Sequence, residues 1–95
     1  MKVPEVFHQV QYLFKQLGNE TRLKIVWLLR SGPKNVTQIK EALNLTQPAV
    51  SQQLAQLSKY HIVTYEAVGK EKYYRLMDDH IKEVLDVAVE HMLHS

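Results

Sequence analysis

The sequence predicts a mainly α-helical domain carrying one β-hairpin, on three observations. Apolar residues recur at three- and four-residue spacing from Val6 to Leu57, the period of helices with one buried face. Two stretches, "IVTYEA" and "EKYYRL", are rich in β-branched and aromatic residues and are separated only by "VGK", which reads as a hairpin with Gly69 at its turn. Helical spacing then returns from about Asp79 to His94. At 95 residues with no internal repeat, residues 1–95 are expected to form a single domain. A core that small gains from a partner subunit.

The first helix is expected from Pro4 to Leu17, with Val6, Val10, Leu13 and Leu17 on one face and Phe7 and Phe14 beside them. Pro4 suits a first turn and Gly18 a stop. Asn19 is placed to cap a second helix whose Leu23, Val26, Trp27 and Leu29 are expected to face the core, and which ends near "SGP" at 31–33. A short third helix follows Val36–Thr37, with Ile39, Ala42 and Leu43 inward, and ends at Asn44. Thr46 is a good N-cap for a fourth, whose buried edge is Val50, Leu54 and Leu57. Only "NLT" lies between the third and fourth, a tight turn. In the last helix Ile81, Val84, Leu85, Ala88 and Met92 form one apolar stripe. Two short helices joined by a tight turn and followed by a hairpin make a winged helix-turn-helix.

The formal net charge of +2 hides an asymmetry. Residues 1–77 carry eleven Lys/Arg against five Asp/Glu, a balance of +6; residues 78–95 carry Lys82 alone against five acids, a balance of −4. A basic body points to a polyanionic partner. In a helix-turn-helix the second helix enters the major groove with its N-terminal end first. Here that helix opens "TQPAVSQQLAQLSKY", and Thr46, Gln47, Ala49, Ser51 and Gln52 are the expected outward residues. Glutamine bonds adenine in a bidentate manner, serine and threonine bond bases or phosphates, and alanine meets the thymine methyl. No acid stands between Asn44 and Ile62, while Lys59, Lys70, Lys72 and Arg75 flank the helix and dress the hairpin. Double-stranded operator DNA is the expected partner.

Other function classes are excluded or disfavoured. The absence of cysteine excludes disulfide and thiolate chemistry and fits a cytoplasmic setting. No run of about 18 apolar residues exists to span a membrane, and "MKVPEVFHQV" lacks the apolar stretch of an export signal. Gly18, Gly32 and Gly69 are isolated, so there is no glycine-rich phosphate loop. "EHMLH" is not the zinc-protease HExxH, because Glu90 precedes the histidine pair and the spacing is three. An enzyme is not expected.

The acidic tail carries three of the five histidines, at 80, 91 and 94. Asp78, His80, His91 and His94 are candidate ligands, a donor set suited to Zn²⁺, Co²⁺ or Ni²⁺. His91 and His94 share a helical face at i, i+3. From His80 to His91, however, the helix rises about 16 Å, whereas a zinc–nitrogen bond is about 2 Å. One helix cannot gather all four residues. Two antiparallel copies can, the Asp78–His80 end of one meeting the His91–His94 end of the other, with Ile81, Leu85, Ala88 and Met92 as the apolar seam. A twofold axis then yields two equivalent sites per dimer. Asp79 is an alternative oxygen donor if the helix starts one residue later. Asp79, Asp86 and Glu90 are otherwise expected to be solvated or to favour the helix start, His8 to be an ordinary polar position, and His61 to pack between the fourth helix and the hairpin.

"NLTQPAVSQQLAQL", then "HIV", then "GKEKYYRL", together with "LGNETRLKIVWLL", resembles the ArsR/SmtB family of bacterial winged-helix repressors over nearly the whole chain. The resemblance implies a homodimer, here through the first and last helices, that binds an operator and releases it when an inducer, often a metal ion, binds. Members with a sensing site on the last helix carry D-x-H, ten residues, then H-x-x-H; Asp78, His80, His91 and His94 match it residue by residue. That implies a sensor of zinc or cobalt type, derepressing metal efflux or resistance genes. The thiolate site that other members carry on the third helix is absent from "NVTQIKEALN", which argues against arsenite, cadmium, lead and cuprous inducers. Many members have histidine where Gln53 stands, so base readout is expected to differ at that position. A winged-helix repressor with a non-metal inducer, or with none, is the alternative.

Overall fold

A computed structural model describes residues 2–94. Among them the elements run α1 (Phe7–Leu17), α2 (Glu20–Leu29), α3 (Val36–Leu43), α4 (Gln47–Lys59), β1 (Val63–Val68), β2 (Glu71–Leu76) and α5 (Asp79–Leu93). Leu17, Ile25, Val26, Leu29, Ile39, Val50, Leu54, Leu57, Ile62, Val63, Ile81 and Leu85 form the core cluster, drawing on every element but β2, which adds the half-buried Tyr74 and Leu76. Burying a leucine or isoleucine side chain contributes about 1.5–3 kcal/mol. No helix of the described residues is long and apolar enough to cross a membrane.

Helix α1 starts at Phe7 rather than Pro4. The residue before it, Val6, offers no side-chain acceptor, and the Phe7 N–H closes a turn onto the Pro4 carbonyl at 3.2 Å. Gly18 ends the helix at φ −78°, outside the left-handed region, its N–H donating to the Lys15 carbonyl. Asn19 follows at once and caps α2, its side chain accepting from the Arg22 N–H at 3.0 Å. Ile25, Val26 and Leu29 are buried. Trp27, expected inward, is 36% exposed, and the Arg30 guanidinium lies over its ring at 3.7 Å. One residue past Val26, Trp27 is turned about 100° off the inner face.

Asn35 and Gln38 form a capping box at the start of α3. Its inner stripe is Val36, Ile39 and Leu43, at i, i+3 and i+7, which leaves Ala42 exposed rather than inward. Asn44 takes φ +54°, a left-handed conformation that asparagine tolerates, and so turns the chain into α4. At the other end of α4, His61 adopts φ +59°. The His61 N–H donates to Ser58 O at 3.1 Å and the Ile62 N–H to Leu57 O at 3.0 Å, a Schellman closure normally built on glycine. His61 is exposed, so its role is backbone shape rather than the expected packing.

Strands β1 and β2 pair antiparallel from Val63↔Leu76 to Val68↔Glu71. Gly69, at the first turn position, has φ +63°, the sign that a two-residue hairpin with glycine there requires. The base of the hairpin is tied to the α2–α3 connector: the Lys34 N–H donates to Tyr74 O at 2.9 Å and the Tyr74 N–H to Lys34 O at 2.8 Å.

Helix α5 turns Ile81 and Leu85 into the chain's own core. Of the four residues expected to form a seam with a second copy, these two are committed to the core, whereas Ala88 and Met92 are exposed. Asp86, expected to be solvated, instead accepts from Arg30 Nε of α2 at 3.0 Å.

Candidate nucleic-acid interface and metal centre

Three buried residues set the outward face of α4. Val50, Leu54 and Leu57 lie at i, i+4 and i+7 and are inaccessible. Gln47, Ser51 and Gln52 are left exposed, whereas Ala49 is half-buried rather than outward. Thr46 is exposed, and its hydroxyl accepts from the Ala49 N–H at 3.3 Å as the N-cap. Pro48 sits in the first turn, where a missing N–H costs nothing.

A cleft of about 440 Å³ joins α3, α4 and the hairpin, lined by Asn35, Val36, Thr37, Gln47, Ser51, Lys70, Glu71, Lys72 and Tyr74. It brings Gln47 and Ser51 together with Lys70 and Lys72. Thr46, Ala49, Gln52 and Lys59 are not among its lining residues. Lys72 Nζ stands 4.6 Å from the centre of the Tyr65 ring, and Lys59 Nζ, at the far end of α4, 5.7 Å from that of Tyr60. Sequence reasoning missed five members, Asn35, Val36, Thr37, Glu71 and Tyr74, of which two bear on charge and hydrogen bonding there. Thr37 lines the cleft from the first turn of α3, and Glu71, between the two lysines in sequence, adds a carboxylate that accepts from Asn35 Nδ2 at 2.9 Å. The alternation in "GKEK" was the available sign.

Gln53 is not on this face. Its Oε1 accepts from Arg22 Nη1 at 3.1 Å, so the departure from histidine at that position bears on internal packing rather than on the outward face.

The four candidate metal ligands form two pairs at opposite ends of α5. Asp78 is the N-cap, with extended backbone at φ −158°. Its Oδ1 accepts from the His80 N–H at 2.9 Å and the Ile81 N–H at 3.2 Å. Its second oxygen, Oδ2, faces His80 Nδ1 at 3.5 Å. The helix begins at Asp79, so the later start that would make Asp79 the donor does not occur. His91 and His94 share a cleft of about 370 Å³ with Val87 and Glu90. His94 is the C-cap at φ −112°, and its N–H donates to the Glu90 carbonyl. All four side chains belong to exposed residues. Among the described residues of this one chain, no three His, Asp or Glu side chains come together around a single point. Each end offers two donors, nitrogen with oxygen at one and two nitrogens at the other, and that chemistry fits half of a tetrahedral shell.

Residues 19–65 match the profile described as bacterial regulatory protein, arsR family. The chain is 37% identical over 86 residues to the HTH-type transcriptional regulator NmtR of Mycobacterium tuberculosis, covering 90% of this chain and 72% of that protein. It is 36% identical over 87 residues to the HTH-type transcriptional repressor SmtB of the same species, covering 92% of this chain and 64% of that one. The chain thus spans roughly two thirds of the length of these relatives. Among solved structures it resembles the homodimeric winged helix-turn-helix DNA-binding domain of a possible ArsR-family regulator from Mycobacterium bovis, with TM-score 0.84 and 29% identity over 95% of this chain and 87% of that one.

Proposed function

Because the chain belongs to the ArsR family of winged helix-turn-helix transcriptional regulators, we propose that it is a metal-responsive repressor whose metal-free homodimer binds operator DNA. A Zn(II)- or Co(II)-type ion, for which Ni(II) shares the same ligand chemistry, binds between the last helices of two subunits and weakens that binding, derepressing efflux or resistance genes. A regulator of this kind acts where the DNA is, in the cytoplasm.

The observation that carries the reading is the division of α5 into two incomplete donor pairs, one at each end and each open to solvent. Antiparallel pairing across a twofold axis completes both sets at once, Asp78 and His80 from one subunit joining His91 and His94 from the other. When bound, the ion supplies a bond between subunits. Since Ile81 and Leu85 belong to the core, the dimer seam falls instead to the outer residues of α5, such as Val87, and to α1, where Val6, Phe7 and Phe14 stand exposed. Regulation requires that the ion favour one dimer shape over another. Free dimers place the two α4 helices about 34 Å apart, in successive major grooves, and the tied α5 pair holds a shape that misses this spacing. The coupling is reciprocal, so operator DNA weakens metal binding by the same factor.

The test is DNA binding by fluorescence anisotropy with zinc and with chelator, beside metal content per dimer. Zinc is expected to release DNA from the wild type and not from His94→Asn. Equal DNA affinity at saturating zinc and in chelator sinks the metal reading. An apolar groove of about 630 Å³ between α2 and α5, walled by Leu23, Trp27, Leu28, Val89 and Met92, favours a second reading, a repressor released by an apolar molecule. In that case the purified dimer carries no tight zinc.

A further inference from the structure

Helix α4 carries a second polar stripe that faces away from the cleft side chains and into the protein. Gln53, Gln56 and Tyr60 stand at i, i+3 and i+7, one above another. Each is fastened. Gln53 Oε1 accepts from Arg22 Nη1 at 3.1 Å, Gln56 Nε2 donates to Gln16 Oε1 at 3.0 Å, and the Tyr60 ring stacks on Tyr12 with centres 5.9 Å apart. The matching surface of α1 is Tyr12 and Gln16, at i and i+4. Arg22, in the first turn of α2, bridges the two helices: its Nη1 donates to Gln53 of α4 and its Nε to the Gln16 carbonyl of α1 at 2.6 Å. Gln16 is only 3% exposed, the one buried polar residue among those described. No carboxylate among the described residues pairs with Arg22. Its charge is held by the carbonyl end of α1, where the helix dipole is negative, and by Gln53.

Three ties along one stripe fix how far α4 is rotated about its own axis. That angle matters for reading bases. A rotation of about 20° moves a side-chain tip about 2 Å on a helix of this radius, more than a hydrogen bond tolerates. The exposed side of α1 holds Phe7 and Phe14, the face assigned above to the dimer. We infer that Arg22 and Gln53 are positioning residues for DNA readout: they lock the rotation of α4 to α1, so the seating of α1 in the dimer sets the presentation of Gln47, Ser51 and Gln52. The inference rests on the DNA-binding reading and adds to it a route that does not pass through α5.

The experiment uses two probes, the duplex that the wild-type protein enriches from a random 30-base-pair pool and a scrambled duplex of equal composition. Gln53→Met keeps the volume and removes the acceptor. Arg22→Lys keeps the charge and loses the planar fork. Circular dichroism checks that each variant is folded. Each single substitution is expected to lower the ratio of selected to scrambled affinity about tenfold, with scrambled binding held within about twofold, and the double variant to fall no further, because contacting residues are not additive. The inference is overturned if folded Gln53→Met keeps the wild-type ratio, or if the double variant loses the product of the two single losses. A wild-type protein that enriches no duplex overturns the DNA reading itself, which is a separate outcome.

Discussion

On the proposed metal reading Asp78 does two jobs with two oxygens, capping α5 and binding the ion, and one substitution separates them. Oδ1 accepts from the His80 and Ile81 N–H groups at 2.9 and 3.2 Å, while Oδ2 stands 3.5 Å from His80 Nδ1 and is the atom free to bind an ion. Asparagine caps helices about as well as aspartate. Asp78→Asn therefore keeps its carbonyl on the cap and turns an amide NH₂, which cannot coordinate, toward His80. We predict that the metal-free variant melts within about 2 °C of wild type, because the cap changes by no more than a few tenths of a kcal/mol. Asp78→Ala loses the cap as well, at about 1 kcal/mol, or about 4–8 °C for a chain of this size. Both lose zinc. Groups that merely support a ligand cost about 10–100-fold in metal affinity, so loss of a ligand oxygen is expected at the upper end or beyond. At zinc a hundredfold above the wild-type Kd, the ion stabilises wild type by about 2.7 kcal/mol. A hundredfold weaker site gains only about 0.4 kcal/mol under the same conditions. The assay is thermal melting at one protein concentration with chelator and with zinc, beside competition against a fluorescent chelator. Wild-type zinc affinity in Asp78→Asn refutes the coordination; a metal-free melt lowered as far as that of the alanine variant refutes the division of labour between the oxygens.

Other expectations follow from single interactions. Replacing Lys70 or Lys72 by glutamine should weaken all duplexes alike and reduce the slope of log affinity against log salt by about one for each phosphate no longer neutralised; an unchanged slope in both would take the hairpin off the DNA. His61→Gly relieves a left-handed residue at the end of α4 and should raise stability by about 1 kcal/mol, read as a higher urea midpoint at constant slope. Asp86→Asn weakens the Arg30 tie between α2 and α5, whose partners are 32% and 40% exposed; a loss of about 0.5 kcal/mol that shrinks in high salt is expected, and a loss unaffected by salt would deny the ionic contribution.

Much of the fold is legible in the residues because period, caps and turn chemistry agree. Asn19, Asn35, Thr46 and Asp78 each cap the helix that follows, and Gly69 takes the positive φ of the turn. The start of α1 was misplaced because Pro4 marks a favourable first turn without supplying a cap. Trp27 and Ala42 were misplaced because a short helix buries a narrower stripe than its apolar content suggests. For α5 the failure is of another kind. A stripe says which residues avoid water, not which surface covers them, and Ile81 and Leu85 cover their own core. That Asp78 and His80 lie at one end of α5 and His91 and His94 at the other is readable from spacing, since their separation is helix arithmetic. The Gln16–Arg22–Gln53–Gln56 cluster is not, because glutamines on a DNA-reading helix look alike whether they face solvent or a neighbouring helix; only tertiary contact tells them apart.

The hairpin is pinned twice, at its base through Lys34 and Tyr74 and near its tip through Asn35 and Glu71. Both ties run to the segment that opens α3, so the hairpin is braced against the rest of the domain rather than held by its own strands alone. On the DNA-binding reading proposed above, a hairpin braced in this way leaves more of any misfit between groove and wing to the double helix. Sites that bend or narrow cheaply are then favoured even at steps no side chain touches.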